Sequence, residues 1–292
     1  MIQSYFKLLR VPQWIKNLFV FVPLLFSKNL FDHNYFTITF FGFIIFCLTS
    51  STVYIINDII DAEADKAHPV KKNRPIPSGK ISRRNAFITA SFLFIIILFA
   101  VINFEPRFYF SVAAYFLLNL LYSLKLKHIV LLDIFSIAAG FMIRVIAGAY
   151  IINVEISSWL LLTTMFISLF LAIMKRQSEL KLINNVELNS TRKVLSHYSF
   201  EFTNQIATVA ASGVIICYAL YTVSSRTVTI FGTENLIYTT PFVVFGIFRY
   251  MYIVHVNQLG ENTTEIMITD FPMIYNFVLY ILATILIVYK II

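Results

Sequence analysis

An all-α polytopic membrane protein, a bundle of about nine transmembrane helices with its polar site at the cytoplasmic side, is the fold that this sequence predicts. Three observations point there. Of 292 residues, 59% are apolar and only 13% charged, whereas a soluble surface needs about a quarter of its residues charged. Most of the chain falls into apolar runs of roughly 17 to 24 residues, the length that crosses hydrocarbon as a helix. Lys and Arg collect in alternate connections between those runs, as the positive-inside rule expects. A soluble enzyme is thereby excluded, and the net charge of +8 reflects membrane topology rather than nucleic-acid binding.

The first span is expected over 17–31. Lys7, Arg10 and Lys16 precede a short apolar run, as in a signal peptide, but no small-residue cleavage site follows and Pro23 interrupts the run, so it reads as a retained helix. Further spans are expected over 36–57, 85–103, 107–124, 130–152, 157–174, 204–223, 237–254 and 272–290. With the N-terminus cytoplasmic, about 17 of the 23 Lys and Arg lie inside, about four lie outside, and Arg144 and Arg249 fall at or within spans. The long polar connections 58–84, 175–203 and 255–271 then face the cytoplasm, which places the chemistry there, in a multi-pass protein of the cell (inner or plasma) membrane. No linker, repeat or low-complexity tail interrupts residues 1–292, so one membrane domain is expected. Cys47 and Cys217 lie deep in apolar runs without partners at metal or disulfide spacing and read as small apolar residues.

The connection after the second span opens with NDIIDAEADKAHPVKKNRPIPSG, Asn57 to Gly79. If that helix runs on, Asn57, Asp58, Asp61 and Asp65 stand at about 0°, 100°, 40° and 80° around it, at about 100° per residue. Four oxygen side chains on one face repel as anions. They lie near a helix C-terminus, where the macrodipole is already negative, so a cation must offset them. Hard oxygen ligands suit Mg²⁺. Lys66, Lys71, Lys72, Arg74 and Lys80 follow on a turn-rich path set by Pro69, Pro75, Pro77 and Gly79. Acids followed by bases suit a magnesium-bridged diphosphate, with Lys and Arg taking the remaining charge. Pro75 restricts Arg74 to extended geometry and fixes where its fork points, whereas Lys71, Lys72 and Lys80 are equally placed as anchors to anionic headgroups. His68 has no orienting partner nearby and reads as a loop histidine.

A second constellation is YSLKLKHIVLLD, Tyr122 to Asp133, leading into GFMIRVIAG, which puts Arg144 inside an apolar helix. An intramembrane arginine marks a functional site by default. Arg144 lies about 16 Å along the helix from Asp133, too far for snorkelling to that interface, and is expected to face a polar cavity. Lys125 and Lys127 sit at the inner boundary, where both suit ordinary anchors, with a ligand role favoured for Lys125.

These motifs carry a resemblance. Asn57 to Asp65 resembles the NDxxDxxxD signature of the UbiA-type intramembrane prenyltransferases, which bind Mg²⁺-diphosphate in a nine-helix bundle. RVPQWIKN, HPxKxxRPIxSG, YSLKLKHIVLLD, GFMIRVIAG and TRKVLSHYSFEF together resemble the decaprenyl-phosphate phosphoribosyltransferase branch. The resemblance implies Mg²⁺ as cofactor, 5-phosphoribosyl-1-diphosphate as donor and a polyprenyl phosphate as acceptor. It implies metal ligands Asn57, Asp58, Asp61 and Asp65, donor-phosphate contacts at Lys16, Lys66, Lys71, Arg74, Tyr122, Lys125 and Arg144, and Asp58, Asp61 and Lys125 nearest the chemistry. The second DxxxD motif usual in the superfamily is missing, and the corresponding stretch offers Lys125, Lys127 and a lone Asp133. A basic wall facing an acidic one fits a donor with phosphate at both ends. An aromatic or quinone prenyltransferase using an isoprenyl diphosphate is the alternative, and a transporter or scaffold leaves the aligned acids unexplained. The bilayer is the surrounding phase, nucleic acid is no partner, and a homo-oligomer stays open.

Overall fold

A computed structural model describes residues 2–66, 71–183, 193–256 and 269–290; His68, Pro69 and the middle of the 175–203 connection lie outside them. The described residues are helical with no strand. The chain begins with α1 (Ile2–Leu9), a 3₁₀ segment (Val11–Phe21) and α2 (Val22–Leu25). Then come α3 (His33–Ile60), the short α4 (Ala62–Lys66), α5 (Arg83–Val101), α6 (Pro106–Leu124) and α7 (Leu132–Ile151). The second half holds α8 (Ser158–Ile183), α9 (Phe200–Val223), α10 (Ser225–Phe231), α11 (Thr240–Val256) and α12 (Phe271–Val288).

Eight helices are long and apolar enough to span a bilayer, and the bent pair Gln3–Leu9 and Val11–Leu25, at 41°, makes a ninth. Polar residues start several spans. Asp32, Ser82, Ser199 and Asp270 each accept a hydrogen bond from a backbone N–H of the first turn, satisfying donors that hydrocarbon would leave stranded. Successive spans run antiparallel, so the end of α3, the start of α5, the end of α6, the start of α7 and the end of α8 lie at one end of the bundle. α3 and α7 are the most enclosed spans, whereas α5, α6, α11 and α12 turn most of their surface outward, as helices bathed in lipid do.

Lipid gives helices little hydrophobic reason to associate, so close packing and interhelical hydrogen bonds carry the fold. Gly148 shows the packing. A Cβ there would stand 2.1 Å from the Val20 carbonyl oxygen, so only glycine lets the 3₁₀ segment rest on α7. Hydrogen bonds do the rest: Trp14 donates to Ser51 (3.0 Å), and Asn17 donates to Ser50 (3.2 Å) while accepting from Arg144 (2.7 Å).

The expected spans correspond to observed helices, with two corrections. The first begins some fifteen residues earlier than 17–31, and Lys7, Arg10 and Lys16 lie within it rather than before it. Arg10, in the left-handed region at φ 51°, turns inward onto Asp58, which removes the solvation cost that otherwise holds an arginine at the interface. The sixth span does not stop near 174 but continues as α8 to Ile183. Lys175 and Arg176 are therefore helical residues, not loop anchors.

Candidate functional site

The acidic string sits where α3 ends. Asp61 breaks the helix with φ −86° and ψ 1°, yet the backbone bonds Asp61 N–H to Asn57 (2.9 Å) and Asp65 N–H to Asp61 (2.8 Å) continue through the break into α4. Asp58 and Asp65 stay buried on the inner side. Their oxygens converge on one nitrogen, Arg74 Nη1, at 3.1 Å and 2.6 Å. Asp58 also accepts from Arg10, and Lys71 Nζ stands 3.9 Å from Asp65. Asp61 instead takes both oxygens to Lys127 Nζ, at 2.9 Å and 3.0 Å. The expected single face of four oxygens is thus divided by the bend, with Asp58 and Asp65 on one cation and Asp61 on another. Asn57 lies beside them, half-buried.

Each base is held by its own local structure. Arg74 is carried by a turn whose Pro75, Ile76 and Pro77 are buried, with Ile76 and Ile81 packed among Leu8, Ile55, Ala62 and Ala86. Ile81 N–H donates to Pro75 (3.0 Å), and Gly79 closes the turn at φ 75°, where a side chain would be strained. Burial, then the neighbouring Arg10 guanidinium, push Arg74 below its ordinary value, and the two carboxylates oppose that shift. Arg10 also lies 4.7 Å from the Tyr54 ring, a cation–π contact. Lys127 comes from a one-turn 3₁₀ segment, Leu126–His128, between α6 and α7.

Other expected residues fall differently. Lys125 caps the end of α6 and is exposed, whereas Lys127, two residues on, is 8% exposed and holds Asp61. The 3₁₀ winding decides this: it swings Lys127 inward and leaves Lys125 out. Lys66 pairs with Glu63 at 3.1 Å on the exposed side of α4, away from Asp58 and Asp65, and this contact, with Arg83, holds Glu63 below its ordinary value. Arg144 is enclosed among polar partners inside the bundle. It is 5% exposed and donates to Asn17, to the Gly140 carbonyl (2.9 Å) and to the Tyr115 hydroxyl (2.7 Å), its guanidinium 4.4 Å from the Tyr115 ring. Lys16 lies within electrostatic reach of both Arg144 and Arg10.

Asp133 is not alone either. It is fully buried, accepting from Arg176 Nε (2.6 Å) and from the Tyr198 hydroxyl (2.7 Å). Arg176, also fully buried, donates further to Glu179 (2.7 Å) and to the Tyr122 hydroxyl (3.1 Å). Burial, reinforced by its bond to Asp133, pushes the Tyr198 hydroxyl above its ordinary value and keeps it a proton donor. Arg10 and Arg176 are the residues that sequence reasoning passed over, and Lys127 is the one it ranked below Lys125. Arg10 stood inside the quoted RVPQWIKN motif, and the only signal for Arg176 was a Lys-Arg pair at the end of an apolar run.

The two carboxylates that share Arg74 form an oxygen-only pair around one positive centre, which suits Mg²⁺. Among the described residues no three His, Cys, Asp or Glu side chains gather closely enough to hold a metal by themselves. A metal at Asp58 and Asp65 would therefore complete its shell with other oxygens, such as those of a diphosphate.

A model of the UbiA prenyltransferase family matches residues 18–271. The chain is 34% identical to the decaprenyl-phosphate phosphoribosyltransferase of Mycolicibacterium smegmatis over 77% of this chain and 71% of that one. It is also 34% identical to the Corynebacterium glutamicum protein of the same name, over 84% and 74%. Among solved structures, a UbiA homologue from Archaeoglobus fulgidus bound to GPP and Mg²⁺ superposes with a TM-score of 0.74 at 16% identity, covering 98% of this chain and 99% of that one.

The exchange of Lys125 for Lys127 at the site is directly testable. Lys127→Ala is expected to lower turnover by about a hundredfold, as loss of a buried charge-assisted contact costs about 2–3 kcal/mol. Lys125→Ala should stay within about threefold of wild type. Equal effects of the two substitutions in a product-formation assay would refute the assignment.

Proposed function

This chain belongs to the UbiA prenyltransferase family, and on that footing we propose that it transfers the 5-phosphoribosyl group of phosphoribosyl diphosphate to a polyprenyl phosphate, releasing diphosphate. The observation that carries the reading is charge pairing. Acids at one helix end meet bases from three other segments, Arg10, Arg74 and Lys127, while Lys16 lies within electrostatic reach of both Arg144 and Arg10. Like charges so placed repel unless an anion joins them, and a donor with phosphate at both ends supplies one anion to each group. An isoprenyl diphosphate offers only one. The names of the mycobacterial and corynebacterial relatives support the same reading, and a product of this kind would serve cell-envelope glycan synthesis.

Asp58, Asp65 and Asn57 would hold Mg²⁺, with Asp61 completing the acidic end. The metal would supply charge neutralisation to the departing diphosphate. The residues do the remainder. Arg74 and Lys127 move from carboxylate to phosphate oxygens as the donor enters, holding the leaving group in line. Arg10 and Lys16 grip the 5-phosphate, and Lys71, 3.9 Å from Asp65, joins Arg74 on the diphosphate. As the C1–O bond to diphosphate breaks, the sugar becomes oxocarbenium-like, and an acceptor phosphate oxygen forms the new C1–O bond from the opposite face. The nucleophile is already an anion, so no general base is required. Its polyprenyl tail lies in the bilayer.

Three experiments test this reading. The first is a mass spectrum of the lipids formed from labelled phosphoribosyl diphosphate, Mg²⁺ and a polyprenyl phosphate, which should show a phosphoribosyl adduct. Transfer of an isoprenyl group to an aromatic acid, with phosphoribosyl diphosphate ignored, would return the protein to the commoner chemistry of its family.

The second follows from the self-paired acids. Mg²⁺ alone competes with Arg74 and Lys127, and the donor alone competes with the acids, so the two should bind together. In detergent, each alone should move the thermal midpoint little, and both together should stabilise by about 3 kcal/mol at a hundredfold excess over Kd. Simple additivity of the separate shifts would contradict the exchange of partners.

The third concerns orientation. The excess of Lys and Arg at the acidic end supports a reading in which that end faces the cytoplasm of a plasma-membrane protein. In a background lacking Cys47 and Cys217, Ser78→Cys, on the exposed turn after Arg74, should resist a membrane-impermeant thiol reagent in intact cells, and Asn103→Cys at the opposite end should react. The reverse pattern would invert the topology.

A further inference from the structure

The turn between α6 and α7 presents Lys127 to Asp61, and nothing in its own sequence makes it rigid. It contains no proline or glycine between Tyr122 and Asp133, and it ends in Leu131 at φ 66° and ψ −40°, a conformation that a leucine adopts only when its surroundings compel it. Both sides of the turn lead to one side chain. Before it, the Tyr122 hydroxyl accepts from Arg176 Nη2 at 3.1 Å. After it, the Leu131 N–H donates to the Tyr198 hydroxyl at 2.8 Å, which donates to Asp133 Oδ1 at 2.7 Å, while Asp133 Oδ2 accepts from Arg176 Nε at 2.6 Å. Arg176 and Asp133 are both wholly buried, and Glu179, one turn further along α8, takes Nη1 at 2.7 Å.

A planar guanidinium meets these partners from three separate nitrogens in a fixed fork, whereas the three donors of an ammonium radiate from one nitrogen and do not span them. From these contacts we infer that Arg176 is a positioning residue for the donor site. It clamps the Tyr122 and Leu131 sides of the turn, and so sets where Lys127 and the Tyr122 hydroxyl stand when Lys127 leaves Asp61 for a donor phosphate. It touches no substrate itself. The strained Leu131 is the element that the clamp holds in place, and α8 is thereby coupled to the acid-bearing end of α3, with which it shares no residue of the acidic string. The inference rests on the proposed phosphoribosyl transfer, because it gives the clamped groups a phosphate to meet.

Arg176→Ala would strand a buried carboxylate and is expected to fail at folding, so conservative variants carry the test. Arg176→Lys and Tyr198→Phe should each raise the KM for phosphoribosyl diphosphate by roughly tenfold, the scale of one lost hydrogen bond to a charged group, and lower kcat less than Lys127→Ala does. If the two act through one turn, the Arg176→Lys and Tyr198→Phe pair should be no worse than the more damaging single variant. Multiplying effects in that pair, or unchanged KM values with only a lowered thermal midpoint, would overturn the positioning role and leave the network a scaffold. Wild-type protein assayed alongside separates the levels. Failure of the wild type to consume phosphoribosyl diphosphate overturns the functional reading, whereas normal wild-type turnover with multiplying variants overturns the clamp alone.

Discussion

A carboxylate at the end of a membrane helix must be neutralised, and the rest of this structure is arranged around that constraint. Asp58, Asp61 and Asp65 lie where the α3 dipole is negative and water is scarce, and three distant segments deliver cations to them. Arg10 arrives on the N-terminal helix pair, Arg74 on a proline-rich turn, and Lys127 on the α6–α7 turn. The unusual features nearby follow from those deliveries. The bend after Leu9, the left-handed backbone at Arg10, the buried Pro75-Ile76-Pro77 turn and the strained Leu131 are the backbone's adjustments to bring a base to an acid.

Neutralisation of this kind also prepares the site for chemistry. On the proposed function, bases that already sit beside the acids would need only to change partners for a magnesium-bridged diphosphate, so little reorganisation would accompany binding, in keeping with the general value of preorganised charge. The apolar turn packing behind Arg74 and the clamp behind Lys127 keep the bases in place during that exchange. Arg144 contributes from further inside, joining the 3₁₀ segment to α6 and α7 through Asn17 and Tyr115. It thereby fixes the segment that carries Arg10 and Lys16.

The second half of the bundle answers the missing acidic motif with a different solution. Where a further aspartate pair would add metal ligands, α8 carries Arg176 and Glu179, and α7 carries Asp133. Fully buried ion pairs are a poor source of stability, because desolvation offsets their attraction. Their value is geometric, since a guanidinium held on two carboxylates and a tyrosine hydroxyl has one orientation.

Composition and spacing alone determined the membrane class, eight of the nine spans to within a few residues at most ends, and the acidic string with its basic sequel. Hydrocarbon thickness fixes helix length, and like charges at helical spacing demand a counter-charge; both constraints are local and visible in a linear string. Tertiary structure decided which base meets which acid. Arg10 reaches Asp58 across 48 residues, Lys127 reaches Asp61 across 66, and Arg176 reaches Asp133 across 43. Lys125 and Lys127 are chemically identical and two positions apart, and a single turn of 3₁₀ helix points one into the site and the other to solvent. The same holds for the first span: whether Arg10 stays at the interface or enters the bundle depends on Asp58 being there to receive it, a fact that only the packed chain contains.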